Sequence, residues 1–431
     1  MRFTHLQDWL DWQTSLHSKN IDLGLQRSSE VWAKLFNGSR FPAFVITVAG
    51  TNGKGSSVAM LEAILQAAGY RTGCYTSPHL VSYNERIRLE GKPVPDNVIC
   101  EAFDRIDKAR GETSLSYFEF GTLAALDIFS RTQLDAVILE VGLGGRLDAV
   151  NIIDADAALI TAIDIDHRDW LGDTRELIGA EKAGILRRNQ PAVFSGQNIP
   201  DSIVKLANEL SVKLDIAGID YQVIKTDDDC WALQGTQGKR SALPIPAMRG
   251  RYQLDNAAGV VNLLLGLRSF LPVGNEAIRR GLLAAQVEGR FQVISAGENS
   301  VVIDVAHNAQ SMQALAENLQ SFVLKGKLHA IIGMLRDKDI AGSLRPLIEQ
   351  VDAWHIVPTP GERGLSAKEF EQILLELAPS ANTQCHETLA EAHTSVLQYL
   401  LCDDTLLVCG SFLVVGEFLA GLKDELKRNL V

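Results

Sequence analysis

Phe44-Val45-Ile46-Thr47-Val48-Ala49-Gly50-Thr51-Asn52-Gly53-Lys54-Gly55-Ser56-Ser57 is the stretch that decides how this chain is read. Its first part is a short apolar run rich in β-branched residues, bounded by Pro42 and Gly50, and it predicts a buried strand. A loop with three glycines and one lysine follows. Beyond it Val58, Leu61, Leu65 and Ala68 share one helical face, and Gly69 stands where a helix would stop. Strand, glycine-rich loop and helix in that order make a phosphate cradle. Backbone N–H groups turn inward, the helix N-terminus adds positive potential, and Lys54 neutralises phosphate oxygens. A hydroxyl from Ser56 or Ser57 can join the shell of a magnesium ion. The usual pattern is G-x-x-x-x-G-K-[ST]; here Gly50-x-x-Gly53-Lys54 is shorter, and Gly55 separates the lysine from Ser56. A plain glycine-rich turn with a solvated lysine is the alternative, but the flanking strand and helix favour a nucleotide site.

The rest of the composition bounds the function. A chain of 431 residues is long for one domain and comfortable for two. Its 46% hydrophobic and 22% charged residues are those of an ordinary globular protein. A formal net charge of −12 leaves no extended basic field, which argues against nucleic acid as a partner. Six cysteines without C-x-x-C pairing indicate neither a zinc site nor a disulfide framework. The segment from Met1 to Trp9 has no apolar core of a signal peptide, and no stretch is apolar enough to span a bilayer. A cytoplasmic protein, with no membrane partner, is the expectation.

From Val45 onward strands and helices alternate, which predicts an α/β protein with a mostly parallel sheet of P-loop ATPase type. Two helical stretches precede it, separated by Ile21-Asp22-Leu23-Gly24-Leu25. Strands are predicted over Thr72–Thr76, Ala136–Val141 and Ala157–Ile163, and ligands gather at the carboxyl ends of such strands. Short extended pieces from Leu214 to Ala247 suggest a small antiparallel excursion, and a long helix follows over Tyr252–Leu267. The alternation restarts after Gly297. The expected layout is a ligand-binding domain over residues 1–286, a linker over 287–297, and a smaller Rossmann-like α/β domain over 298–431.

Several residues at strand ends could carry chemistry. Glu140 closes an apolar strand and suits magnesium beside a phosphate loop; a structural ion pair with Arg146 is the alternative. Gly142-Leu143-Gly144-Gly145-Arg146-Leu147-Asp148 is a poor dinucleotide motif, because Arg146 and Asp148 replace the small, apolar helix start such a motif needs. His167 can be a ligand or catalytic group, or a capping or core histidine. Lys182 falls on a helix starting near Thr174 and by itself reads as a surface lysine. Asp304 and His307 either face a nucleotide or cap the next helix.

Taken in order, Gly50-Thr51-Asn52-Gly53-Lys54-Gly55-Ser56, Ser77-Pro78-His79-Leu80, Leu139 to Asp148, Asp166-His167, Glu181-Lys182-Ala183-Gly184 and Asp304-Val305-Ala306-His307-Asn308 resemble the folylpolyglutamate synthase branch of the Mur ligase family. The resemblance runs from about Asp22 to Gly410, and there the shorter loop spacing is the expected one. It implies an ATP-dependent amide ligase with Mg2+, and a monovalent cation as a further candidate. Such an enzyme phosphorylates the carboxylate of dihydropteroate or a reduced folate, and L-glutamate attacks the acyl phosphate. It also implies residue roles. Thr51, Asn52, Gly53, Lys54, Gly55 and Ser56 resemble ATP phosphate contacts, and Asn256, Arg290 and Asp304 further ATP contacts, with His307 in the same motif. Ser77, Glu140 and His167 resemble magnesium ligands, and Lys54, Lys182 and His167 the catalytic set, Lys182 matching a lysine that the family carbamylates. Asp22, Leu23, Ser116, Tyr117, Phe118, Glu119, Leu147, Asp148 and Ala149 match the region holding the pterin. A pterin needs an apolar or aromatic wall and a carboxylate for its amino-pyrimidine edge.

Two departures stand out. Ala180 occupies a place where the family commonly has arginine, and Ala309-Gln310 replaces a usual proline. Two rival readings are a same-fold ligase acting on a peptidoglycan precursor and a nucleotide switch without ligase chemistry. The Asp22-Leu23 and Tyr117-Phe118-Glu119 segments favour the folate substrate, and no base-specificity motif of a switch is visible. Small molecules only, and a monomer, are expected.

Overall fold

The computed structural model describes the chain except residues 20, 37, 39, 227–228, 297–298, 323 and 429–431. The chain divides into two compact units. The first comprises Met1–Pro78, Asn84–Ala247 and Leu254–Gln286; the second comprises His79–Tyr83, Met248–Gln253 and Val287–Val431.

In the first unit an eight-stranded sheet is built from β1 (Phe44–Ala49), β2 (Thr72–Tyr75), β3 (Ile87–Leu89), β4 (Lys92–Pro93), β5 (Ala136–Glu140), β6 (Ala157–Ile160), β7 (Pro191–Phe194) and β8 (Lys213–Ile216). Their order is β4-β3-β2-β5-β1-β6-β7-β8, and only β3 and β4 run antiparallel to their neighbours. Val45, Ile46, Val48 and Ala49 are buried, as a central strand covered on both faces requires. The pairings Val48↔Glu140 and Val48↔Leu159 align the carboxyl ends of β5, β1 and β6. That register brings the glycine loop, Glu140 and the segment after β6 to one rim of the sheet.

The helices that matter for the rim are α1 (Leu6–Leu16), α2 (Gln26–Leu35), α3 (Lys54–Ala67), α4 (Asp96–Arg110), α5 (Tyr117–Arg131), α6 (Arg168–Leu171) and α7 (Arg175–Ala183). On α3, Val58, Met60, Leu61, Ile64 and Leu65 are all buried, so it is a core helix rather than an amphipathic surface one. A Cβ on Gly281 of the helix Asn275–Ala284 would lie 2.5 Å from Ile64 Cα, so these helices pack backbone to backbone. On α1, Trp9 is fully buried against Phe103 and Phe120, at 5.8 and 6.4 Å between ring centroids. The excursion expected from Leu214 begins later. Lys213–Ile216 is the parallel edge strand β8, and only β9 (Tyr221–Lys225), β10 (Cys230–Gly235) and β11 (Gly238–Pro244) form a separate antiparallel sheet.

The second unit has a six-stranded sheet of β12 (Gln292–Ala296), β13 (Asn299–Ile303), β14 (Leu328–Ile332), β15 (Ala353–Ile356), β16 (Thr383–Cys385) and β17 (Thr405–Cys409). The order is β12-β13-β17-β14-β15-β16, parallel except for β12. Alternate strand residues feed two apolar layers, one around Trp354 and Phe370 and one around Ile331 and Val408. The segment 287–297, expected as a linker, carries β12, whose Gln292 to Ala296 pair with Asn299 to Ile303. Its few apolar residues, Phe291, Val293 and Ile294, do not mark a strand by themselves; pairing with β13 makes it one. Among the described residues no helix is long and apolar enough to cross a membrane.

Candidate active site

The loop after β1 is held by backbone and side-chain bonds to the segment after β6. Thr51 N donates to Ala162 O at 2.8 Å, Thr51 Oγ1 to Asp164 O at 3.0 Å, and Thr161 Oγ1 to Asn52 O at 2.7 Å. Gly53 lies at φ 91°, in the left-handed region, immediately before α3 begins at Lys54. A Cβ there would also stand 2.5 Å from the Asn256 Oδ1 atom, so Asn256 lies against the loop. Lys54 curls back over the loop and donates from Nζ to Gly50 O at 3.0 Å and Thr51 O at 3.1 Å. Ser56 and Ser57 are buried in the first turn of α3. The arrangement is a helix N-terminus with a lysine beside it, which is what an anionic phosphate requires.

Glu140 ends β5 and is buried. Both its carboxylate oxygens lie 3.9 Å from where a Cβ on Gly55 would be, so the absence of that side chain leaves the carboxylate facing the start of α3. Its Oε2 accepts from Ser77 N at 3.2 Å, at a cis Ser77–Pro78 bond. The expected alternative for Glu140, an ion pair with Arg146, is not formed: Arg146 pairs with Glu181 at 2.8 Å. His167 sits at φ 52° before α6 with no side-chain capping bond, and its ring is 31% exposed with Nε2 3.9 Å from Asp166 Oδ2. It occupies the N-cap position of α6 without capping it through its side chain, and it is not a core residue.

Lys182 overturns its sequence reading most clearly. It is buried on α7, where Nζ donates to Gly50 O at 2.9 Å, the same carbonyl that accepts from Lys54. Burial first, and the charge of Lys54 second, bring its amine down to about 7, against Asp166, Asp148 and Glu181, which favour the charged form. The close packing comes from Gly145, where a Cβ would meet Glu181 O at 2.8 Å and Lys182 Cα at 3.1 Å. Ala180 is exposed, so the side chain missing there belongs to the solvent face.

The segments matched to the pterin region converge on the loop after β5. Gly24 N donates to Leu147 O at 3.2 Å, which links the Asp22-Leu23 segment to Leu147, Asp148 and Ala149. The Phe118 ring lies 2.5 Å from a Cβ placed on Gly142, with Asp148 Oδ2 at 3.3 Å. Asp148 accepts from Leu143 N at 2.8 Å and Val150 N at 3.0 Å; burial raises its carboxyl to about 6 against these donors and Lys182. Ser116 caps α5 in a reciprocal box with Glu119. Arg86 stacks over the Tyr117 ring at 5.7 Å. At Asp22, burial pushes the carboxyl up, but His17, Arg27 and Lys19 outweigh it and hold it below the ordinary value.

In the second unit Asp304 is buried and accepts from Phe291 N and Ala306 N, each at 2.8 Å. Burial raises its carboxyl, opposed first by Arg290. Asp304 does not cap the following helix; Asn308 does, accepting from Ser311 N at 2.9 Å. His307 Nδ1 lies 2.8 Å from Val305 O.

Family models match this chain as Mur ligase middle domain over residues 48–264 and as Mur ligase, glutamate ligase domain over residues 289–412. The chain belongs to the Mur ligase family. Its relatives in that family include the dihydrofolate synthase/folylpolyglutamate synthase of Escherichia coli, 45% identical over 96% of this chain and 94% of the relative. The protein of the same name from Haemophilus influenzae is 38% identical over 96% of this chain and 97% of the relative. Among solved structures, E. coli FolC in complex with DHPP and ADP superposes with a TM-score of 0.91 at 44% identity, covering 98% of both chains. The Yersinia pestis bifunctional enzyme complexed with AMPPNP and Mn ion gives 0.87 at 43% identity, covering 97% of this chain and 98% of the other. Against this Mur ligase frame, the residues that sequence reasoning passed over are Thr161, His17 and Arg27. Each acts across a long stretch of chain, and no local motif marks any of them.

Proposed function

We propose that this chain is an ATP-dependent ligase that joins L-glutamate to dihydropteroate and extends reduced folates by further glutamate. The observation that carries the reading is the convergence on the rim of β5. Glu140 faces the start of the phosphate-binding helix, and a few residues on, Phe118 and the Asp148 carboxylate both close on Gly142. An acceptor carboxylate held there lies one loop away from the phosphate cradle.

Transfer of the γ-phosphoryl group to an acceptor carboxylate oxygen gives ADP and an acyl phosphate. The glutamate amine then attacks the carbonyl carbon; the C–N bond forms, the C–O bond to phosphate breaks, and the amine gives up a proton. Lys54 exchanges its bonds to the Gly50 and Thr51 carbonyls for phosphate oxygens, and the N–H groups at the start of α3 share that charge. Asn256, beside the loop at Gly53, is a further residue we assign to the nucleotide. The buried Glu140 carboxylate is a hard oxygen donor suited to magnesium, and with Ser77 and His167 it would form the protein's share in holding the ion. When bound, the ion supplies neutralisation of phosphate charge. Lys182 is proposed as a carbamate that adds an anion beside it, and a monovalent cation is a further candidate. The reading includes a cytoplasmic monomer acting on small molecules.

The test is ADP release and product mass with ATP, L-glutamate and dihydropteroate, each omitted in turn, then with a reduced folate as acceptor. Product from folate alone reduces the reading to polyglutamylation. Absence of acceptor-dependent ADP release with either compound overturns the ligase assignment.

A further inference from the structure

The segment carrying Asp22 is tied down by one guanidinium. Arg27, in the first turn of α2, donates from Nη1 to Asp22 Oδ2 at 2.7 Å and from Nη2 to Asp22 O at 2.9 Å. The same Nη2 lies 3.0 Å from Glu119 Oε1, which also accepts from Ser28 Oγ at 3.2 Å. Glu119 is only 3% exposed, and its Oε2 accepts from Ser116 N at 2.8 Å, so the far end of the bridge is anchored in the cap of α5. The Arg27 Nε atom is buried without a hydrogen-bond partner. Such an orphan donor costs free energy, and it is tolerated where the fork is held by its other contacts.

The two oxygens of Asp22 are used differently. Oδ2 takes Arg27 and, at 3.1 Å, His17 Nε2, whose Nδ1 lies 2.6 Å from Ser114 Oγ. Oδ1 is met by Lys19 at 3.3 Å, and that lysine side chain is 65% exposed. One oxygen is committed to the fold, and the other is met by the exposed Lys19 ammonium, which a ligand can displace.

We propose that Arg27 is a positioning residue that sets acceptor choice: it locks the Asp22–Gly24 segment to the cap of α5, so that Asp22 presents Oδ1 to the pterin of dihydropteroate. The inference rests on the proposed function and deepens it. In dihydropteroate the reacting carboxylate sits on the aminobenzoate ring, which a short CH2–NH bridge joins to the pterin, so placing the pterin narrows where the carboxylate can lie. A folate already bearing glutamate has a flexible segment between ring and reacting carboxylate and tolerates a looser ring site. Loss of the lock therefore weakens the rigid acceptor more.

The experiment compares wild-type protein with Arg27→Ala, Arg27→Lys, Asp22→Asn and the Asp22→Asn/Arg27→Ala double variant, using dihydropteroate and a reduced folate as acceptors. For Arg27→Ala the KM for dihydropteroate rises on the order of tenfold, kcat changes less than about threefold, and the ratio of kcat/KM for the two acceptors shifts about fivefold toward folate. The KM for ATP stays within about twofold. Arg27→Lys keeps the charge but not the fork, so it fails to restore the ratio. The double variant is no worse for dihydropteroate than the poorer single variant, because Arg27 acts through Asp22. Equal losses with both acceptors, full rescue by lysine, or additive effects overturn the proposal. Circular dichroism and thermal melts check folding, and if the alanine variant unfolds, the lysine variant and Asp22→Asn carry the comparison. Wild-type protein inactive on dihydropteroate refutes the proposed function itself; an active wild type with an unshifted ratio refutes only the role of Arg27.

Discussion

A buried lysine near neutrality makes a sharp chemical prediction. Lys182 has its amine lowered to about 7, chiefly by burial and then by Lys54, from an ordinary value near 10.5. A shift of that size is worth roughly 5 kcal/mol against the ammonium form. At pH 7 about half of the Lys182 population is a neutral amine, against about one in 3,000 for an exposed lysine. Only the neutral amine attacks carbon dioxide, forming an N–C bond and releasing a proton to leave an anionic carbamate. Lys54, which disfavours the ammonium, favours that anion, whereas Asp166, Asp148 and Glu181 oppose it. We expect carbamate occupancy to rise as pH increases through about 7, read as a carbamate carbon resonance after addition of 13C-bicarbonate. Activity should fall on bicarbonate depletion and return on its addition, and Lys182→Ala should lose on the order of 10²-fold in turnover. The proton also links to stability. Between about 7 and 10.5 the unfolded chain holds a proton that the folded uncarbamylated chain does not, so the penalty is full below pH 7 and fades as pH rises. Full activity of Lys182→Ala in bicarbonate-free buffer, or no resonance at alkaline pH, refutes the reasoning.

Further outcomes follow from the same geometry. Lys54→Ala should fold normally yet lose on the order of 10²-fold or more in ADP release, since it removes a cation bonded to two carbonyls of the phosphate loop; near-normal turnover would sink that role. Gly53→Ala places a Cβ 2.5 Å from Asn256 Oδ1 at φ 91°, and calorimetric titration with ADP should show affinity weakened about tenfold or more; unchanged affinity would mean the loop bends freely. In the second unit His355 is buried between His329 and His386, and burial first, then those neighbours, lower it to about 4. The unfolded chain therefore binds the extra proton between about pH 6.5 and 4, so up to roughly 3 kcal/mol of stability is lost as pH falls through that window. Urea unfolding of wild type and His355→Phe across that range checks it: a slope unchanged by the substitution contradicts the assignment.

Much of the design is local and therefore legible in the residues alone. A β-branched run, a glycine loop with Lys54 and an apolar helix are short-range signals, and each depends on the conformational preferences of neighbouring residues. Strand-end positions of Glu140 and Asp304 follow from the same alternation, because ligand-facing residues in parallel sheets lie where strands end. Burial of Lys182 is different. Nothing in Glu181-Lys182-Ala183 distinguishes an inward from an outward lysine; the contact of Gly145 with the end of α7 decides it. Arg146 chose Glu181 over Glu140 for the same reason, since partners are selected by which backbones meet. The strand hidden in 287–297 is defined by its pairing with β13, not by its own composition. Arg27 reaches Glu119 across nearly a hundred residues of chain. Sequence alone determined the elements and the chemistry they carry, because propensity and periodicity act over a few residues. Tertiary structure decided the charge state of Lys182, ion-pair choice and the anchoring of the Asp22 segment, because these depend on solvent exclusion and on distances between segments remote in the chain.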